Sequence, residues 1–258
     1  MRRDYKFSSV IIIQIIVTLI LVLIVSLTGA YANSDFNTGS SILNTILTTA
    51  VQTIFGFIIA RGLVFNRMGS LGEYFDNFNY LTLKLFGLCF IISILPYLLI
   101  VGFGIGLISS LTSAMISGNN FAGFGSMMGL LILLTILSIV YTFFTAYNHF
   151  VAADNPDLSF GELFKKVFKI GSDLFSKTFK TYLKWLILPS ILYIFIIVVA
   201  SSKPTTAGNS LSLVLSILFV IYIIFIALVF ALVELSDHYL DYKYKEQIDN
   251  DEKISYEV

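Results

Sequence analysis

Residues 1–28 read MRRDYKFSSVIIIQIIVTLILVLIVSLT, with Arg2, Arg3 and Lys6 ahead of a long apolar run. A run of roughly 18 or more such residues, wound as a helix, spans the ~30 Å hydrocarbon core of a bilayer. Working outward, the pattern recurs: apolar runs lie at about 8–30, 41–66, 81–109, 126–148, 181–200 and 211–235. With the N-terminus placed inside, Arg61, Arg67, Lys84, Lys165, Lys166, Lys169, Lys177, Lys180, Lys184, Lys243, Lys245 and Lys253 join the first three on the inner side. Only Lys203 falls outside. That asymmetry is the positive-inside bias. The expected fold class is an all-α membrane protein of six transmembrane helices with both termini cytoplasmic, multi-pass in a bacterial cell membrane.

Composition points the same way. The 258 residues are 57% hydrophobic and 12% charged, against about 25% charged in soluble domains. Little is left for a soluble unit, so a transmembrane domain over 1–236 and a charged, solvated tail over 237–258 are expected. Cys89 is the only cysteine, which excludes an internal disulfide and argues against a thiolate metal site. Inside an apolar run it reads as a packing residue. Ala30-Tyr31-Ala32 resembles a cleavage site. The run before it exceeds the ~7–15 residues usual in a signal peptide, so an uncleaved anchor is expected.

Two inner loops carry one hexamer pattern, SLGEYF at Ser70–Phe75 and SFGELF at Ser159–Phe164. Both fit a capping box, in which Ser70 or Ser159 caps the helix start and Glu73 or Glu162 reaches back to it. Each precedes a span with a Leu-Pro step, at Leu95-Pro96 and Leu188-Pro189. This suggests a parallel duplication of a helix pair about an axis along the membrane normal. After Ser159, Phe164, Val167, Phe168, Phe175 and Phe179 recur at three- and four-residue spacing opposite Lys165, Lys166, Lys169, Lys177 and Lys180. The expected element is an amphipathic helix over about 159–180. Its basic face has two readings that stand together. It lies among anionic inner-leaflet lipids, or it packs on the bundle's own ends with its lysines solvated.

The turn Ala153-Asp154-Asn155-Pro156-Asp157-Leu158-Ser159, followed by Glu162 and the basic helix to Trp185, resembles an uncharacterised family of bacterial multi-pass proteins. That family is related to the membrane domain of glycerophosphodiester phosphodiesterases. The resemblance covers about 140–200, with weaker agreement over 41–109. It implies an architecture and carries no catalytic residue across, because this chain has no phosphodiesterase domain and lacks its histidine and carboxylate cluster. From the residues alone, Asn155-Pro156 ends the fourth span, since the residue before proline is pushed out of the helical region. Asp154, Asp157 and Ser159 are then turn and cap residues.

No Asp, Glu, Lys, Arg or His stands near the middle of an apolar run, where such residues mark ion paths and proton relays. Nucleotide-loop, zinc-protease and serine-nucleophile motifs are missing. A non-enzyme without cofactor or metal is expected. The spans do hold uncharged polar columns. Asn44, Thr48, Gln52 and Gly56 form one, and Thr135, Ser138, Thr142, Thr145 and His149 another. Facing each other they would line a cavity; otherwise they hydrogen-bond between helices. Both readings stay open. Gly102/Gly106 and Gly125/Gly129 read as packing sites, and Tyr31, Tyr80, Tyr147, Tyr182 and Trp185 as interfacial anchors. Pro96 and Pro189 should kink their spans and free backbone carbonyls.

The leading expectation is a non-enzymatic integral membrane accessory or scaffold protein. It would act with another membrane component through its basic helix and acidic tail. The bilayer and its anionic lipids are the expected partners, and nucleic acid is not. The alternative is a carrier or permease for a lipid-like or neutral small molecule.

Overall fold

The computed structural model describes residues 4–28, 38–98, 124–201 and 206–256, and every element among them is helical. Ala30-Tyr31-Ala32, the Gly102/Gly106 pair, Lys203 and the far part of the third expected span lie outside the described residues. In chain order the helices are α1 (Phe7–Thr28), α2 (Thr38–Phe65), α3 (Leu71–Asp76), α4 (Leu83–Leu98), α5 (Phe124–Thr145) and α6 (Asn148–Asp154). They continue as α7 (Phe160–Asp173), α8 (Phe175–Tyr182), α9 (Leu188–Ser201), α10 (Thr206–Tyr222) and α11 (Leu228–Tyr256). Five stretches are long and apolar enough to cross a membrane: Phe7–Thr28, Ser40–Phe65, Gly129–Asp154, Phe175–Val199 and Ser212–Ile248. A sixth arises if Leu71–Tyr80 and Leu83–Leu98, bent by 98° at their junction, count as one.

Two boundaries differ from those read in the sequence, each for a local reason, while the third span opens at Leu83, close to the expected 81. The third span starts after the bend, where the Thr82 hydroxyl accepts from Leu85 N–H at 3.3 Å and opens α4. The amphipathic stretch 159–180 is two helices, broken at Leu174 (φ −99°, ψ 5°), and α8 runs on into the fifth span. The break follows Gly171-Ser172-Asp173, three weak helix formers. Gly171 also lets α7 lie directly on α5, because a Cβ there would stand 1.9 Å from the Phe144 carbonyl oxygen. The last helix does not end near 235. It continues to Tyr256, with Ser236, Asp237 and Tyr239 buried.

The core collects at the basic end of the bundle, where Val10 and Ile13 of α1, Phe57 and Leu63 of α2, Phe150 of α6 and Tyr239 of α11 are buried together. Three polar side chains fasten it. Arg67, in the loop after α2, pairs with Asp237 of α11 at 2.7 Å and bonds Ser236 Oγ at 3.0 Å. Its Nε donates to the Asp4 carbonyl at 3.3 Å, and its own carbonyl accepts Lys6 N–H at 2.8 Å. One residue thus joins the start of α1, the end of α2 and the last helix. Asp154 receives Lys243 Nζ at 2.6 Å and Tyr239 Oη at 3.0 Å. Arg61 donates to the Ala153 carbonyl at 2.9 Å, with its guanidinium 3.8 Å from the Tyr80 ring centroid.

Within the apolar part, two prolines impose one problem with one solution. Proline has no N–H, so the carbonyl four residues earlier loses its donor. Pro96 releases Ile92 O, which accepts Tyr141 Oη of α5 at 3.0 Å. Pro189 releases Trp185 O, which accepts Tyr222 Oη of α10 at 3.1 Å. Around Trp185 the chain forms a π-helical turn, Leu183–Ile187, that touches a second one at Ile223–Ala227. Both legs of the α9–α10 hairpin thus enter the membrane through widened turns, and Tyr193 stacks on Phe219 above them at 4.0 Å.

Two stability predictions follow from these contacts. Arg67→Met breaks the buried pair with Asp237 and should cost up to about 3–5 kcal/mol. Adding Asp237→Leu should recover much of that loss, as thermal unfolding in detergent across the double-mutant cycle would report. Tyr141→Phe and Tyr222→Phe each strip a released carbonyl of its donor and should each cost about 1–3 kcal/mol, whereas Tyr193→Phe, which bares no carbonyl, should cost less.

Candidate functional site

Ser159 caps α7 with its hydroxyl accepting from Glu162 N–H at 3.5 Å, while the Glu162 carboxylate accepts Ser159 N–H at 2.9 Å. The same reciprocal box opens α3, where Ser70 N–H reaches Glu73 Oε2 at 2.7 Å. Bonds from the Ser159 hydroxyl and amide hold the Glu162 carboxyl below its ordinary value, with Lys84 and Lys165 adding to the effect. Between the spans, Asn155 donates to the Val151 carbonyl at 2.9 Å and accepts Lys166 Nζ at 2.8 Å. The Asp157 carbonyl accepts Lys84 Nζ at 3.2 Å, and Pro156 is exposed. The acidic turn is therefore tied into the fold on both sides.

The lysines of α7 and α8 divide into three settings. Lys165, Lys166 and Lys169 line a cleft of about 400 Å³ against Tyr242 and Glu246 of α11. Lys177 lines another, of about 470 Å³, together with Trp185, Glu234 and His238. Lys180 lines neither. No carboxylate stands within ion-pair distance of Lys165, Lys169, Lys177 or Lys180 among the described residues, and all four are exposed. The opposite side of α7 is buried through Leu163, Val167 and Ile170, and Phe168 packs on Tyr141 and Phe144 of α5.

Among the described residues the two polar columns meet at His149 and Gly56, while Thr135 and Thr142 point elsewhere. Thr135 and Thr142 stand on the exposed side of α5 and bond their own helix, at Leu131 O (2.8 Å) and Ser138 O (2.9 Å). Ser138 is buried. In α2, Thr48 likewise bonds Asn44 O at 2.7 Å, and Asn44 Oδ1 accepts the Thr28 hydroxyl of α1 at 3.4 Å. His149 packs on Gly56 so closely that a Cβ there would lie 3.0 Å from the ring. Of the residues expected to line a cavity, Gln52 opens into a sizeable groove, which lies between α1, α2 and α11 and not between α2 and α5. It holds about 540 Å³, between Gln14, Thr18 and Ser26 of α1, Gln52 and Gly56 of α2, and Leu228 of α11. The sequence signal missed there is the four-residue interval Gln14, Thr18, Val22, Ser26 along α1.

No group of three or more His, Cys, Asp or Glu side chains among the described residues is placed to hold a metal ion. Comparison with family models, with curated proteins and with solved structures returns no match for this chain.

Glu162 supplies a pH prediction. A carboxyl whose folded pKa is depressed stabilises the fold above its unfolded pKa, and that contribution is lost as pH falls through the lowered folded value. Protection factors at the Glu162 and Leu163 amides, which bond Ser159, should therefore hold down to the ordinary carboxylate range and fall below it. Glu162→Gln should flatten that acid limb.

Proposed function

We propose that the chain is a non-enzymatic accessory or scaffold protein of the bacterial cell membrane, with the basic end of its bundle in the cytoplasm. Its occupants there are anionic inner-leaflet lipids and the cytoplasmic part of another membrane protein. The observation that carries this reading is the exposed quartet Lys165, Lys169, Lys177 and Lys180 on a firmly docked helix pair, with no carboxylate within ion-pair distance among the described residues. Elsewhere at the same end, Arg67 and Lys243 are consumed in internal pairs. Each cation near an anionic surface contributes about 1 kcal/mol, so the exposed lysines of α7 and α8 together form a useful docking element. The fifteen-to-one charge distribution supports the orientation.

The proposal includes a parallel duplication, which makes the chain comparable to the multi-pass family that its 140–200 segment resembles. Its support is twofold: a capping box before each proline-bearing helix, and a tyrosine from the next span closing each released carbonyl. The halves have diverged where one turns by 98° and the other passes through a π-helical turn.

Purification from native membranes at near-endogenous level should recover a stoichiometric membrane protein. Reversing Lys165, Lys169, Lys177 and Lys180 to Glu should cut that recovery at least several-fold while insertion and thermal stability persist. Undiminished recovery would remove the basis for the proposal.

A further inference from the structure

The groove between α1, α2 and α11 contains two side chains with nothing to bond. Gln14 and Gln52 have no hydrogen-bond partner among the described residues, and both belong to stretches long and apolar enough to cross a membrane. A primary amide carries two donors and an acceptor, and leaving it bare in hydrocarbon is costly. Thr18 and Ser26 spend their protons on Gln14 O and Val22 O, each at 2.8 Å, and keep oxygens that can accept. The rest of the lining is apolar, and no charged side chain lines the groove among the described residues. Gln14 to Ser26 covers about 18 Å of helix, comparable to an extended acyl chain. The volume of about 540 Å³ falls in the range of small-molecule sites.

We infer that the groove holds one uncharged lipid of the acylglycerol or long-chain alcohol class. Its hydroxyl or ester group bonds the amides of Gln14 and Gln52, and its chain lies along α1. Absence of charge in the wall disfavours a phosphate headgroup, which would leave its charge uncompensated. The mixed donor and acceptor character of an amide suits a hydroxyl, which both gives and takes a hydrogen bond. The site is separate from the basic face of α7 and α8, and the inference does not rest on the accessory reading.

The test uses the full chain in phosphatidylcholine nanodiscs with a diacylglycerol that carries a diazirine in its acyl chain. Saturable cross-links are expected in peptides of α1, α2 and the start of α11. Unlabelled diacylglycerol or hexadecanol should compete, the stronger competitor naming the source, and phosphatidylglycerol should not. Gln14→Leu with Gln52→Leu should lower labelling about tenfold, and Gln52→Met alone should lower it by less. Both variants replace polar groups by apolar ones of similar size, so unchanged thermal unfolding serves as the control for folding. Thr135→Val, on the exposed side of α5, should leave labelling as it was. Three outcomes would overturn the inference: labelling indifferent to the glutamine variants, displacement by phosphatidylglycerol as effective as by diacylglycerol, or a Gln52→Cys thiol that reacts with a water-soluble maleimide equally fast with and without diacylglycerol.

Discussion

A carbonyl in hydrocarbon cannot go without a donor, and most of what distinguishes this bundle follows from that. Pro96 and Pro189 each delete an amide proton, and a tyrosine from the next span replaces it. The hydroxyls of Thr45, Thr48, Thr135, Thr142 and Thr145 follow the complementary rule. Each spends its proton on a carbonyl of its own helix three or four residues back. Polar atoms in the apolar part are thus largely answered within one helix or by one neighbour. Thr53 Oγ1, Asn148 Oδ1 and His149 Nε2 are buried exceptions, and Gln14 and Gln52 add two amides that bond no described residue.

Charge is handled at the other level of the molecule. At the basic end Arg67, Asp237, Asp154 and Lys243 are buried or half-buried and paired across long sequence distances. Such pairs contribute less to net stability than to fixing which helix sits beside which, because desolvation offsets much of their attraction. The α7–α8 lysines lie outside this lattice, held by the aromatic packing of Phe143 and Phe144 on Phe168, Phe175 and Phe179. The rigid part of the molecule and its outward charge are therefore built from separate residue sets.

Features set by neighbours in sequence were legible, and those set by distant partners were not. The Ser-x-x-Glu boxes concern residues three apart, and Pro96 and Pro189 act on their own helices, so both could be read directly. The tyrosines that answer those prolines lie 49 and 37 positions from the carbonyls they bond, and nothing local marks them. The threonine columns were visible as columns, but a hydroxyl chooses between its own backbone and a neighbour only once packing is known. The tail from Asp237 reads as solvated by composition. Its first turns are buried because Arg67 and Asp154, far upstream, require them. Gln14 and Thr18 were overlooked for the opposite reason, being two polar residues inside one of the most apolar runs.

The clasp at Arg67 also bears on the order in which the protein is made. Its carboxylate partner lies 170 residues downstream. At ~5–20 residues per second, a ribosome needs about ten to thirty seconds to cover that distance. Throughout that interval the Arg67 guanidinium has the carbonyls of Asp4 and Leu63 beside it and not yet the Asp237 carboxylate. The pair with Asp237 can form only once α11 has been made, so the seating of α11 against the first two helices follows their own packing.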